Sequence, residues 1–262
     1  LIITKKSVCI ETIFTEVPFE ERIKLAKDFG FEYIEFWTWK DKDIDKIKSI
    51  CENLEIKVAS FSGDQDFSLI NEQESKEYIS FVKDSIKTAR YLDCQYLVLH
   101  SNALGKNGEV LNPHHEISDY KKFYTMVNVL KDLAPIAEEA KVTLVLEALN
   151  TKIDHVGNFL AYTKDAVEVV KLINSTYIKI LYDIYHMQIM EGDLINTIKK
   201  YIEVIGYVHI ADVPGRHEPG TGEINFINVI ETLKLLNYNG IIGFELYPLK
   251  DSKQAVAIIN SL

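Results

Sequence analysis

Four residues occupy matching places in four β-rich runs. Glu147 lies in "TLVLEAL", Asp183 in "IKILYDI", His209 in "YVHIADV" and Glu245 in "GIIGFELYP". Side chains on a strand alternate between its two faces, so a charged residue flanked by apolar neighbours points away from them. Leu144, Leu146 and Ala148 suit a covering layer of helices, which turns Thr143, Val145 and Glu147 the other way. The same alternation opposes Asp183 to Ile180, Tyr182 and Ile184, His209 to Val208 and Ile210, and Glu245 to Ile242, Phe244 and Leu246. Three carboxylates and one imidazole are thereby sent to one region. Uncompensated, such carboxylates repel one another and lose hydration, and a bound divalent cation removes both costs. Three oxygen donors with one imidazole suit Mn²⁺, Mg²⁺, Co²⁺ or Zn²⁺.

Further candidates surround these four. His186 follows Asp183 by three positions in "DIYH", just past the strand end, where it would line the same region. Arg216 lies in "VPGRHEPGTGE", where its planar fork could meet a substrate carboxylate or hydroxyls, or else be a solvated loop charge. His100 follows the apolar run of "QYLVLHS", and a capping or core role is expected of it. Glu11 and Glu35 read as inward on early strands. The aromatic cluster Phe36, Trp37 and Trp39 reads as packing that could also wall a small ligand from solvent. His114 and His115 follow a proline at an expected helix start, and as adjacent residues they diverge rather than chelate.

The elements that must position these residues alternate along the whole chain. Strands are expected at "SVCIET", "YIEFWT", "KVASFSG" and "QYLVLHS", and then at the four runs above. Helical patterns lie between them, including "PFEERIKLAKDFG", "DIDKIKSICENLE", "SKEYISFVKDSIKTARYL", "YKKFYTMVNVLKDLAPIAEEA", "KDAVEVVKLIN", "DLINTIKKYIEVI" and "NFINVIETLKLLN", with "KQAVAIINSL" closing the chain. Gly30, Asn174, Gly206 and Asn237 stand where helix stops are expected. Eight strand–helix units in about 250 residues match a (β/α)8 TIM barrel. No Gly-, Ser- or Pro-rich linker divides the chain, so one barrel domain is expected over residues 1–262. An open doubly wound sheet is less favoured, because no G-x-G-x-x-G follows the first strand. In the barrel, "VPGRHEPGTGE" becomes the seventh strand-to-helix loop, on the face where such barrels carry their chemistry.

Composition narrows the classes. With 29 Lys and Arg against 39 Asp and Glu, the net charge of -10 offers no basic footprint for nucleic acid or an anionic membrane. Cys9, Cys51 and Cys94 are scattered and form no Cys-x-x-Cys pair, which suits a reducing compartment and buried small side chains. The N-terminal "LIITKKSVCIETIF" carries its lysines inside the apolar stretch and lacks a small-residue cleavage site, so no signal peptide is expected and the cytoplasm is the default location. No apolar run approaches the roughly 20 residues of a membrane-spanning helix. Oligomeric state is open, a homo-oligomer included.

On the motifs "LEALNT", "DIYHMQIMEGDL", "HIADVPGRHEPGTGEINF" and "GFELYP", the chain resembles the hydroxypyruvate isomerase family. That family lies within a wider group of xylose-isomerase-like barrels that also holds ketose 3-epimerases. The resemblance is strongest from Val142 to Pro248. It implies one divalent metal held by Glu147, Asp183, His209 and Glu245, substrate contacts from His186 and Arg216, and acid/base work by Glu147 and Glu245 on a small hydroxy-keto acid or ketose. His209 stands where hydroxypyruvate isomerases often have Gln and epimerases usually have His. Lys152 and Ile153 stand where epimerases commonly carry a further glutamate, and Ala148 replaces a frequent proline. The expected chemistry is aldose–ketose isomerisation, with 3-epimerisation and non-catalytic sugar binding as the other readings. A metal-dependent endonuclease on the same barrel would need more converging histidines and a basic groove.

Overall fold

A computed structural model describes residues 5–262. Residues 1–4, the start of the stretch read for a leader, lie outside the described residues. The parallel strands β1 (Lys5–Cys9), β2 (Tyr33–Phe36), β3 (Lys57–Ser62), β4 (Tyr96–Leu99), β5 (Thr143–Glu147), β6 (Ile178–Asp183), β7 (Ile205–Ile210) and β8 (Ile241–Phe244) close in sequence order into a (β/α)8 barrel. Around it run α1 (Phe19–Asp28), α2 (Ile44–Leu54), α3 (Ser75–Tyr91), α4 (Asp119–Ala140), α5 (Thr163–Ile173), α6 (Ile184–Met190), α7 (Leu194–Tyr201), α8 (Phe226–Leu235) and α9 (Ser252–Ser261). No helix among the described residues is long and apolar enough to cross a membrane.

Strand alternation sorts the apolar residues into two shells. Ala59, Val98, Val145, Leu181, Tyr207 and Ile241 pack together inside the barrel, below the site. Leu144, Leu146, Ile180, Tyr182, Val208, Ile210, Ile242 and Phe244 pack outward in the layer shared with the helices. The residues opposed to that outer set, Glu147, Asp183, His209 and Glu245, are left for the axis. Side-chain caps start several helices: Asp43, Ser118, Asp183, Asn225 and Asp251 each accept a backbone N–H of the first turn. Such a cap stabilises a helix by about 1 kcal/mol. All three cysteines are free and buried, as their scatter suggested.

Three local expectations need correction. Gly206 stops no helix, because it lies inside β7, where Ile205 pairs with Ile180 and Tyr207 with Leu181. The glycine is the extra residue of a bulge. A Cβ there would come within 2.8 Å of the Lys179 Cβ. Beyond the bulge the register sets His209 beside Asp183, both facing inward. The pattern "DLINTIKKYIEVI" accordingly ends its helix at Tyr201, and Ile205 joins the strand. The short helix α6 is not foreseen by apolar periodicity, since seven residues carry too little of it. Its start comes from the Asp183 carboxylate, which accepts from the His186 N–H at 3.0 Å. Helix α4 begins at Asp119 rather than beside His114, because Ser118 supplies the cap.

Candidate active site

The site opens at the C-terminal ends of the strands in a cavity of about 770 Å³. Glu147 and Asp183 are the last residues of β5 and β6, His209 lies one residue before the end of β7, and Glu245 follows β8 directly. His209 Nδ1 stands 3.9 Å from Glu147 Oε1, 3.8 Å from Asp183 Oδ2 and 3.5 Å from Glu245 Oε2. Donors sharing one ion at their usual bond lengths lie about 3–4 Å apart, so this spacing suits a cation. Two overlapping sets, Glu147 with Asp183 and His186 and Asp183 with His209 and Glu245, place ligand atoms within 4.8 Å of one another. Glu147 Oε1 and His209 Nδ1 are buried without a hydrogen-bond partner, as donors awaiting an ion would be.

The outer partners fix these side chains. His209 Nε2 approaches Glu35 Oε1 to 3.0 Å, and the other Glu35 oxygen accepts from the Tyr207 hydroxyl. The Glu35 carboxylate pairs with the ring on its Nε2 side, so Nδ1, among the three acids, is the nitrogen left to give up its hydrogen to a cation. Room for the pair comes from Gly243 on β8, where a Cβ would collide with the Glu35 carboxylate and the His209 ring. Glu35→Gln is expected to weaken Mn²⁺ binding about 10- to 100-fold while the fold persists. Calorimetric titration of the two proteins checks this, and equal affinities would remove Glu35 from the metal's support.

Charges in the cavity are strongly coupled. Burial pushes the Asp183 carboxyl up, Arg216 opposes and Glu147 adds to the rise, and the carboxyl sits at about 7. Burial also acts to raise Glu245, but Arg216 and His209 outweigh it and hold that carboxyl at about 2. Burial lowers and the carboxylates of Glu35, Glu245 and Glu147 raise His209, to about 10. His186 goes the other way, well below the usual imidazole range, through burial and the nearby Arg216.

The loop carrying Arg216 is organised by Asp212, whose carboxylate accepts from the N–H groups of Val213, Gly220, Gly222 and Ile224. Arg216 itself adopts a left-handed backbone, φ 60°, a conformation that costs a non-glycine residue roughly 1–2 kcal/mol. Its N–H donates to the Asp212 carbonyl at 3.0 Å and its carbonyl accepts from Tyr247 at 2.8 Å. Thus held, Arg216 Nη2 donates to Glu245 Oε2 at 2.6 Å, and the guanidinium lies over the Tyr185 ring.

Glu147, His186, His209, Arg216 and Glu245 thus line one cavity, and Asp183 lies against it, 3.8 Å from His209 Nδ1 and 3.9 Å from Arg216 Nη2. His100 joins them, contrary to a purely capping or core role: its Nδ1 lies 2.9 Å from Asp64 Oδ1 and its Nε2 3.3 Å from Glu147 Oε2. Trp37 does more than pack, donating its indole N–H to Glu245 Oε1, whereas Trp39 donates to Ser85 and Phe36 stacks on Phe61 in the outer layer. Glu11 lies past the end of β1 at the cavity rim and pairs with Lys42 at 2.9 Å. His114 stays away, with Ser68 and Glu116. Sequence reasoning passed over Asp64, Asn150, Asp154 and His155. They sit on loops, where no periodicity reports direction, although Asn150 falls inside "LEALNT".

A model of the xylose isomerase-like TIM barrel family matches residues 23–262. The chain belongs to that family. This xylose isomerase-like barrel is 29% identical to hydroxypyruvate isomerase of Escherichia coli (strain K12) over 252 residues, covering 92% of this chain and 93% of that protein. It is 30% identical to 2-oxo-tetronate isomerase of Pectobacterium atrosepticum over 244 residues, covering 91% of this chain and 90% of that protein. Among solved structures, AP endonuclease, family 2, from Brucella melitensis superposes with a TM-score of 0.89 at 26% identity, covering 99% of each chain. The chain is a TIM barrel of the sugar isomerase/epimerase type, as its motifs indicated.

Proposed function

We propose that this barrel is a divalent-metal-dependent isomerase of a small hydroxy-keto acid, hydroxypyruvate or 2-oxotetronate. The observation that carries the reading is the unpartnered, buried Nδ1 of His209, with carboxylate oxygens of Glu147, Asp183 and Glu245 3.5–3.9 Å around it. Glu147, Asp183, His209 and Glu245 would hold Mn²⁺, Mg²⁺, Co²⁺ or Zn²⁺. When bound, such an ion supplies Lewis acidity toward the carbonyl and adjacent hydroxyl oxygens of the substrate.

The chain's own residues do the rest. One of Glu147 and Glu245 takes the proton from the carbon bearing the hydroxyl; the same one after rotation, or the other once it has drawn a proton from water, returns a proton to the neighbouring carbon, while the hydroxyl hydrogen passes to the former carbonyl oxygen. Trp37 and Arg216 keep Glu245 ionised and oriented. His186 and Arg216 line the cavity and hold the substrate's oxygens, and relatives named as isomerases of hydroxypyruvate and 2-oxotetronate over nine-tenths of their length support the substrate class. His209, the usual residue in ketose 3-epimerases, favours a second reading in which the proton returns to the same carbon from the opposite face.

The test is deuterium incorporation by the Mn²⁺-loaded protein, read over hydroxypyruvate, 2-oxotetronate, tagatose, psicose and ribulose. Exchange and isomerisation of the keto acids are expected. Exchange on the ketoses alone would replace the isomerase by the epimerase, and exchange on none would leave a sugar-binding barrel without catalysis. Arg216→Ala is expected to raise KM for the anionic substrates about 10- to 100-fold, the loss of one charged hydrogen-bonding group. Steady-state kinetics on hydroxypyruvate and a neutral ketose check it, and equal losses on both would end the carboxylate-clamp role.

A further inference from the structure

Two buried imidazoles, His186 and His209, face the same carboxylates, and spacing alone would let either one ligate an ion beside Asp183. What separates them is the nitrogen that carries the hydrogen. A ring nitrogen bearing hydrogen has no lone pair to offer a cation.

The hydrogen on His186 is set by Asn150. Asn150 Oδ1 accepts from the backbone N–H groups of Ile153 at 3.1 Å and Asp154 at 3.0 Å, and Asn150 Nδ2 lies 2.6 Å from Asp154 Oδ2. Backbone N–H groups only donate and an ionised carboxylate only accepts, so the amide has one orientation. Its second Nδ2 hydrogen then meets His186 Nδ1 at 2.7 Å, and the Asn150 backbone N–H points to the same ring nitrogen at 3.4 Å. With two donors aimed at it, Nδ1 keeps its lone pair, and the ring hydrogen resides on Nε2. That Nε2 is buried, has no hydrogen-bond partner and stands 3.6 Å from Asp183 Oδ2. The His155 ring, held by its Nδ1 at 2.7 Å from the Gly108 carbonyl, packs edge-on against His186.

We infer that Asn150 is a positioning residue that holds His186 as an Nε2–H donor, so that His186 presents a hydrogen to a substrate oxygen and leaves the metal to His209. The His209 ring is turned about, with Nε2 on Glu35 and Nδ1 toward the three acids, so that Nδ1 is the nitrogen it can offer a cation. The substrate half of this inference rests on the isomerase reading above, whereas the tautomer and the choice of metal ligand do not.

The experiment is long-range ¹H–¹⁵N correlation of the imidazoles in the full-length labelled protein, without metal and with Zn²⁺, the His186 signals being assigned by their loss in His186→Gln. The expected spectrum shows a neutral His186 with its hydrogen on Nε2 in both states. In Asn150→Asp, whose carboxylate accepts where the amide donates, the hydrogen should move to Nδ1. A native His186 protonated on Nδ1, averaging between tautomers, or unmoved in a folded Asn150→Asp overturns the inference. If Asn150→Asp does not fold, the native spectrum decides by itself. As an independent reading, His209→Ala, which removes the ligand outright, should weaken Co²⁺ binding about 100-fold or more, beyond what the loss of a residue that only orients a ligand costs. His186→Gln should cost less than about tenfold, below what the loss of a residue that orients a ligand costs. The reverse order overturns the assignment. These measurements need no substrate, so failure of deuterium exchange would count against the isomerase alone.

Discussion

Glu147→Gln is expected to leave the barrel folded and to slow deuterium exchange into substrate by about 10³–10⁴-fold, the upper part of what a positioned acid/base contributes. Gln keeps the length and shape of the side chain, so its packing at the end of β5 and its approach to His100 persist. What it loses is the oxygen that now lies buried and unpartnered beside His209, able as a carboxylate to accept a proton or bind an ion. An amide offers neither a base nor a charged ligand. Mass spectrometry of substrate recovered from deuterated water, at saturating Mn²⁺, reads the exchange, and circular dichroism checks the fold. Exchange at the native rate in the Glu147→Gln protein would end the acid/base assignment of this glutamate.

The second large effect is on stability, and its sign depends on the metal. The metal-free site keeps Glu35, Glu147 and Asp183 buried and Glu245 nearly so, balanced by Arg216, His100 and His209. Mn²⁺ at about 100 times its Kd should stabilise the native protein by about 2.7 kcal/mol, which for a chain of this size raises Tm by roughly 5–10 °C. Asp183→Asn should abolish most of that gain. In the presence of EDTA the same substitution should be neutral or stabilising. Burial already pushes the Asp183 carboxyl up to about 7, so its charge is unfavourable there without an ion, and an Asn side chain can still accept from His186 to cap α6. Scanning calorimetry of both proteins with Mn²⁺ and with EDTA separates the outcomes. An undiminished Mn²⁺ increment in Asp183→Asn would remove this residue from the ligand set.

The chain's own order of residues determined which side chains face the axis, because alternation along a strand is local and needs no knowledge of neighbours. Leu144, Leu146 and Ala148 were enough to turn Glu147 inward, and the same pattern placed Asp183, His209 and Glu245. Eight such runs separated by helix-period segments likewise determined the barrel.

Tertiary structure decided what those four residues touch. The bulge at Gly206 sets His209 level with Asp183, and the missing side chain of Gly243 admits the Glu35 carboxylate behind the ring. Neither glycine announces such a role in a linear reading, since each acts through space left on another strand. Asn150, on a loop without period, fixes the hydrogen of His186 from outside the sheet. Direction along a strand is inherited from covalent geometry, whereas the protonated nitrogen of a buried imidazole is chosen by partners distant in sequence, which only closure of the barrel brings within hydrogen-bonding range.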